Sequence, residues 1–570
     1  MVYLLFAFLL ITVAVMLSSY AFKKSKIKKV KALREAWGKP KNDDFNFKNI
    51  TAYTDNLTEA AFHTLSAQTK KDIDFETLFC AIDRTYTKVG QQFLYDSLCK
   101  PLNNIDDLNK INEQVIFFAT DQVLREKVQN ILQPLAKDDA YNITSLIATG
   151  LPDKPSWYKW IIVYIILVIS FLIINLFHHK MWLWIMLPLA INVFFHYRTK
   201  NYTKVFKGSF PQLNNLISVC EKLQAANIPF NTEGLKNNLR NLKIMQRKAT
   251  LLSYDGHTLM DEFSEIGMYF LELIKGFFLI EFFAFYGLLK DVKSKRTDII
   301  KLFQYVGTVD RALSIANLRA GNLAFCVPEF LPEQKQLSFL QLYHPLIKDC
   351  VTNDLYLHDK SVLITGSNMS GKSTFLRSVA INSLLAQTIV TCFAKEFNTP
   401  CFKLHSSISI ADDLIDGKSY YFEEVNVMGS LIAQAEHSWQ NIFILDEVFK
   451  GTNTIERIAS AKAILSFLNK NNNIVFVSAH DVELCAMLAP AYELYHFAEW
   501  IQGEEFSFDH KLKAGVLTHG NAIKILELHN YPDEIIRDAK IIGTHLQITR
   551  QQYVRKIPLL VSTYPVEILP

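Results

Sequence analysis

Paired cysteines are what this chain most plainly lacks. Its eight cysteines, Cys80, Cys99, Cys220, Cys326, Cys350, Cys392, Cys401 and Cys485, are scattered, with no C-x-x-C pair. That usage suits a reducing compartment and supports neither a disulfide framework nor a cysteine metal site. A dominant charge is missing too. The formal net charge is +4 over 570 residues, too mild to argue for nucleic acid by itself. With 20 glycines and 17 prolines, no long Gly/Ser or Pro-rich linker stands out, and no internal repeat does either. Domain borders are therefore soft, although the length leaves room for roughly two to four domains with cores of their own.

What is abundant is hydrophobicity, at 50% of residues, and it is concentrated in a few runs. Val2 to Tyr20 is nearly uninterrupted apolar sequence, with no basic residue before it and Lys23, Lys24, Lys26, Lys28, Lys29 and Lys31 directly after. By length and flanking charge this reads as a membrane anchor with the rest of the chain on the cytoplasmic side; a cleaved signal peptide is the alternative. Trp160–Phe177 and Met181–Phe195 are two further uncharged runs split by His178-His179-Lys180, with basic residues on both outer flanks. They predict a transmembrane hairpin, or one that only dips into the bilayer, against the alternative of a buried hairpin in a soluble core. A fourth stretch, Met268 to Leu289, carries Glu272, Lys275 and Glu281, and reads as a packed helix of the soluble part. Around these runs, residues 32–151 and 208–325 read as mostly helical. From about Gln341, short apolar strands alternate with helices, as in a parallel α/β sheet.

The stretch Ser361 to Arg377, SVLITGSNMSGKSTFLR, organises that last part. An apolar strand, Val362-Leu363-Ile364, turns through Gly366, Ser367, Asn368, Met369, Ser370, Gly371, Lys372, Ser373 and Thr374 into a helical pattern. Every fixed position of the phosphate loop G-x-x-x-x-G-K-[ST] is met. Glycines let backbone N–H groups turn inward, and the helix that follows presents its unpaired donors there. Lys372 is placed to reach outer phosphates and Ser373 to offer its hydroxyl to Mg²⁺. Asn441 to Leu445 is a buried strand ending in Asp446 and Glu447, the first placed to help hold Mg²⁺ and the second to polarise an attacking water. Phe476-Val477-Ser478-Ala479-His480 is another strand that delivers a polar side chain at its C-terminal end, where ligands of open α/β sheets bind. His480 is expected to sense a γ-phosphate or its water.

In this order, the pieces resemble the MutS family of DNA mismatch-repair ATPases, itself similar to ABC-type ATPases. The family loop GPNMGGKST is GSNMSGKST here. Ala411-Asp412-Asp413-Leu414 followed by Gly417 and Ser419, in a stretch that runs on through Tyr420-Tyr421-Phe422-Glu423-Glu424, looks like the family's ADDL-x-x-G-x-ST-F-x-x-E region. Asp446-Glu447-Val448-Phe449-Lys450-Gly451-Thr452-Asn453-Thr454 is similar to DE-[IV]-G-R-G-T-S-T, and His480 matches the histidine of ATH. Upstream, Asp83-Arg84-Thr85, Gly90, Asp310, Pro328-Glu329-Phe330 and His344-Pro345 look like landmarks of the family's helical core. There are departures. The Phe-x-Glu mismatch wedge has no obvious counterpart, Tyr420-Tyr421 follow Ser419, and Lys450 replaces an arginine. Cys350 stands where the family places an aromatic for adenine stacking, three residues before the Asn that matches Asn353.

The resemblance implies an α/β P-loop (ABC-type) ATPase domain C-terminal to an all-α helical core and lever, to which the apolar runs add N-terminal and internal transmembrane helices. The expected segments are an anchor at 1–22, a basic connecting segment at 23–69, helical core at 70–156 and 198–330 around the hairpin at 157–197, the ATPase at 331–548 and a tail at 549–570. The implied activity is hydrolysis of ATP to ADP and phosphate with Mg²⁺ held by Ser373 and Asp446, and with Lys372, Glu447 and His480 catalytic. The nucleotide is held by residues 366–374 of one copy and by Ser419 of another, in a head-to-tail homodimer. DNA and the lipid bilayer are the further expected partners, on the cytoplasmic face of a multi-pass inner membrane protein. The alternative keeps the ATPase and replaces DNA with a membrane or protein client. A transporter-type ABC ATPase calls for an LSGGQ-like signature and a larger transmembrane bundle, and the sequence shows neither.

Overall fold

The computed structural model describes residues 24, 28, 30–57, 60–148, 151, 153–154, 156, 158–177, 191–192, 206, 208–230, 233–253, 279–321, 324–332, 334–367, 369–409, 420–436, 439–502, 505–517 and 522–546. The chain divides into two compact units. The first takes Met1–Glu59, Asp83–Asp96 and Gln114–Gly321; the second takes Ala60–Ile82, Ser97–Glu113 and Asn322–Pro570.

The first unit is built on long helices, among them Ser209–Ala225, Leu235–Ser253, Ile280–Ser294 and Arg296–Arg319. The last is buried along most of its length, including the charged Asp310. That carboxylate accepts hydrogen bonds from the Tyr86 amide at 2.9 Å and from the Thr87 amide and hydroxyl at 2.7 and 2.6 Å. Burial pushes its pKa up to about 6 against the pull of those donors. Asp83 is buried nearby, accepting from the Thr85 amide and hydroxyl, Gln91 and Lys41. Gly90 explains itself in this setting, because a Cβ there would lie 2.1 Å from Asp310 Oδ2. Gly90→Ala is expected to destabilise this unit by about 2–3 kcal/mol through overpacking. A lowered first thermal transition checks this, and an unchanged one would show that Asp310 can yield.

Among the described residues, no helix is long and apolar enough to cross a membrane. The transmembrane helices of the expected fold class, and the multi-pass membrane localisation drawn from them, are therefore corrected. The anchor run Val2–Tyr20 lies outside the described residues, as does almost all of Met181–Phe195. The run at 160–177 forms one helix, Tyr158–Phe177. It buries Ile161 and Ile165 against Leu279 and Phe282, and Tyr158 stacks on the Phe282 ring at 5.6 Å, while Trp160, Ile166 and Leu167 are exposed. The apolar character that hydropathy reads as a lipid signal here supplies a helix-packing stripe. Of the fourth run, 268–278 also lie outside the described residues, and the rest enters helix Ile280–Ser294.

The second unit carries a six-stranded sheet. Its strands in chain order are β1 (Ser361–Thr365), β2 (Lys403–Ser407), β3 (Asn441–Asp446), β4 (Ile474–Ser478), β5 (Tyr492–Gln502) and β6 (Glu505–Ala514). Across the sheet they run β6-β5-β1-β4-β3-β2, all neighbours parallel except the β5/β6 pair. Strands β1 and β4 are buried throughout, as continuous Val/Ile/Leu/Phe runs require in a sheet covered on both faces. Among its helices are α1 (Lys372–Ile389), α2 (Tyr420–Ala435), α3 (Thr454–Leu468) and α4 (Val482–Leu488). Leu465, Leu468, Leu484 and Leu488 pack on Phe443, Leu445, Val475 and Val477 of the sheet. A smaller four-stranded sheet holds Glu329–Phe330, Glu396–Thr399, Gln336–Leu342 and Asn353–His358 in that order.

Two early segments join this unit through buried polar bonds. Asp72 accepts from Ser406 Oγ and from the amides of Ile408 and Ser409 at 2.7, 3.0 and 2.8 Å. Leu102 and Gln387 exchange a backbone bond at 2.9 Å and a side-chain bond at 2.8 Å. Burial makes each of these partners costly to lose.

Candidate functional site

The register of the sheet brings the chemistry together. Ile364 on β1 and Asp446 on β3 both pair with Ser478 on the intervening β4. Everything that follows these three strand ends opens on the same edge of the sheet, where open α/β folds bind ligands.

After β1 the chain enters its tight turn with Gly366 at φ +151° and reaches helix α1 through Gly371 at φ +112°. A Cβ on Gly366 would meet the Phe497 carbonyl and Ser370 Oγ, each at 2.9 Å, so only glycine fits. Met369 takes φ +71° without being glycine. Lys372, the first residue of α1, is buried and folds back to donate from Nζ to the carbonyls of Gly366 and Ser367 at 2.8 and 2.9 Å. Burial lowers its pKa, and the carboxylates of Glu447, Asp446 and Glu499 oppose that shift. Ser373 donates its hydroxyl to Asp446 Oδ2. Thr374 lines the same cavity.

Glu447 sits one residue beyond β3, at φ +55°, with its amide donating to the Ser478 carbonyl at 3.2 Å. A left-handed glutamate is strained backbone of the kind that accumulates at functional sites. Its carboxylate lies 2.7 Å from His480 Nε2 and 3.1 Å from Lys450 Nζ. Burial works to raise its pKa, but the His480 contact and the Lys450 charge prevail and hold it down at about 2. The group therefore stays ionised at neutral pH.

A cavity of about 460 Å³ spans this edge, reaching from Glu447, Lys372 and Ser373 to Cys350, Val351 and His510. Asn353 does not open into it as a donor; its amide bridges the His510 carbonyl and the Leu512 amide, at 3.1 and 2.7 Å. The Ser373–Asp446 pair is one hydroxyl beside one carboxylate. That donor set fits Mg²⁺, which takes few protein ligands and fills its shell with water and phosphate oxygens. No cluster of three or more His, Cys, Asp or Glu appears among the described residues.

Gly366, Ser367, Met369–Thr374, Asp446, Glu447 and His480 are thus gathered on one edge. Asn368, Ser419 and the segment 410–418 lie outside the described residues. Four further side chains belong to the arrangement without having been singled out from sequence. Ser478 donates to Asp446 Oδ1, and Glu499 accepts from Ser367 Oγ. His510 Nδ1 lies 3.0 Å from the Ser370 carbonyl, and Glu424 accepts from the turn after Glu447. Of these Ser478 carried a signal, as a hydroxyl at the end of a buried strand, and Glu424 another, as the last residue of the stretch 417–424 that resembles a family motif.

Residues 362–547 match the family model described as MutS domain V. Over 275 residues the chain is 30% identical to the DNA mismatch repair protein MutS of Staphylococcus haemolyticus strain JCSC1435, covering 46% of this chain and 31% of that one. The DNA mismatch repair protein MutS of Staphylococcus aureus strain JH9 is 29% identical over the same length and the same shares.

These matches support the MutS family. They span about a third of the curated relatives' own length (31%). Every site position from Gly366 to His480 falls inside the stretch that matches MutS domain V.

Proposed function

We propose that this chain binds and hydrolyses ATP as a MutS-like, DNA-associated ATPase acting as a homodimer. The observation that carries the reading is the convergence of the 366–374 turn, the Ser373–Asp446 pair and the Glu447–His480 contact on three adjacent strand ends. In this reading the loop amides and Lys372 hold the phosphates, and Lys372 exchanges its two carbonyl partners for phosphate oxygens. Ser373 and Asp446 hold Mg²⁺, which supplies charge neutralisation at the outer phosphates. Glu447, ionised and a weak base, accepts a hydrogen bond from the attacking water and orients it, while His480 fixes the carboxylate. Ser419 of a second copy completes the site. DNA enters on the printed name of the relatives, and the 31% coverage leaves their other parts without a counterpart in the match.

ATP turnover by the purified full-length chain tests this, with and without homoduplex and heteroduplex DNA at one stated salt concentration. Mg²⁺-dependent turnover that DNA changes is the expected result. Turnover indifferent to DNA at low salt would remove DNA from the reading, and no turnover at all would remove the ATPase.

A further inference from the structure

We propose that Glu424 is a positioning residue for Glu447, an inference that deepens the ATPase reading above and rests on it. Glu424 lies in the second turn of α2, a helix separate in sequence from every motif strand, and is 2% exposed. Its two carboxylate oxygens accept different backbone donors, the Lys450 amide at 3.1 Å and the Gly451 amide at 3.2 Å. Both donors belong to the turn that starts at Glu447. That turn needs holding, because Glu447 at φ +55° and Phe449 at φ +62° are both left-handed without being glycine. A buried carboxylate accepting two consecutive amides locks such a turn.

The consequence reaches the reacting edge. With its backbone tied to Glu424, Lys450 sends its side chain back to Glu447 Oε2 at 3.1 Å. Oε1 of the same carboxylate is left to His480. Glu424 thereby sets where the Glu447 carboxylate stands and which side chain each oxygen meets, without touching the nucleotide cavity itself. It also ties α2, which begins directly after Ser419 in sequence, to the turn that carries Glu447.

The test compares the full-length wild type with Glu424→Gln and Glu424→Ala in the kcat and KM of ATP turnover, together with amide hydrogen exchange over residues 446–452. For Glu424→Ala we expect kcat to fall about tenfold or more with KM within about twofold, the pattern of a lost transition-state arrangement. Glu424→Gln keeps one acceptor and should fall between the two. Exchange over 446–452 should accelerate in Glu424→Ala while β1 and β4 stay protected. An unchanged kcat, with only KM and thermal stability shifted, would overturn the proposal and leave Glu424 a packing residue. Equal exchange in all three proteins would overturn it too. If the wild type fails to turn over ATP, the ATPase reading falls alone, and exchange still decides whether Glu424 holds the turn.

Discussion

Glu447→Gln is expected to slow ATP turnover by about 10²- to 10³-fold, the span of a lost preorganised electrostatic contact at the reacting centre, with nucleotide affinity nearly unchanged. The substitution keeps the shape and removes the charge. In the native protein that charge is anchored by His480 at 2.7 Å and Lys450 at 3.1 Å, and the pKa of about 2 keeps it present through the whole physiological range. A neutral amide cannot orient water in the same way, and it leaves the Lys450 ammonium without its carboxylate partner, which favours retention of bound ATP. The variant should therefore trap the ATP-bound state. Single-turnover hydrolysis and sedimentation with ATP check both halves: slow chemistry, and a dimer that persists with ATP. Turnover within about threefold of wild type would remove Glu447 from the role given to it, since even one lost electrostatic contact of that kind costs far more.

Lys372→Ala should fail earlier, at binding. The ammonium is buried and held by two loop carbonyls, so it waits beside the turn where phosphates are expected. A hydrogen bond to a charged group is worth about 1.5–3 kcal/mol, so removing it should weaken ATP binding roughly 10- to 150-fold. Titration with a fluorescent ATP analogue measures this directly. Thermal stability should change little, because the two carbonyls released can take water from the open cavity. Unaltered affinity would mean that Lys372 keeps its carbonyl partners when nucleotide arrives.

Much of this site could be read without coordinates because its parts are local. Gly366 and Gly371 are glycines where the backbone takes positive φ, and Lys372 opens a helix because the turn before it spends the strand's last residues. Asp446 ends a buried strand for the same kind of local reason. The partners of these groups could not be read so. Glu424 meets the 450–451 amides from 26 and 27 positions away, and His510 reaches Ser370 across 140. No spacing rule connects them. The same limit misled the reading of the apolar run at 160–177. Ile161 and Ile165 are as hydrophobic against Leu279 and Phe282 as they would be in lipid, and hydropathy does not record what covers a side chain.

The chain's order of residues was enough by itself to set the strand–turn–helix at 361–389, the pair of acids at 446 and 447, and the likeness to MutS, since each is a short pattern with a local physical cause. Only the tertiary structure decided that Ser478 stands between β1 and β3, that His480 and Lys450 divide the two oxygens of Glu447, and that segments 60–82 and 97–113 belong with the sheet. Those outcomes rest on strand order and on buried polar atoms finding partners far along the chain, which burial makes obligatory but no local pattern spells out.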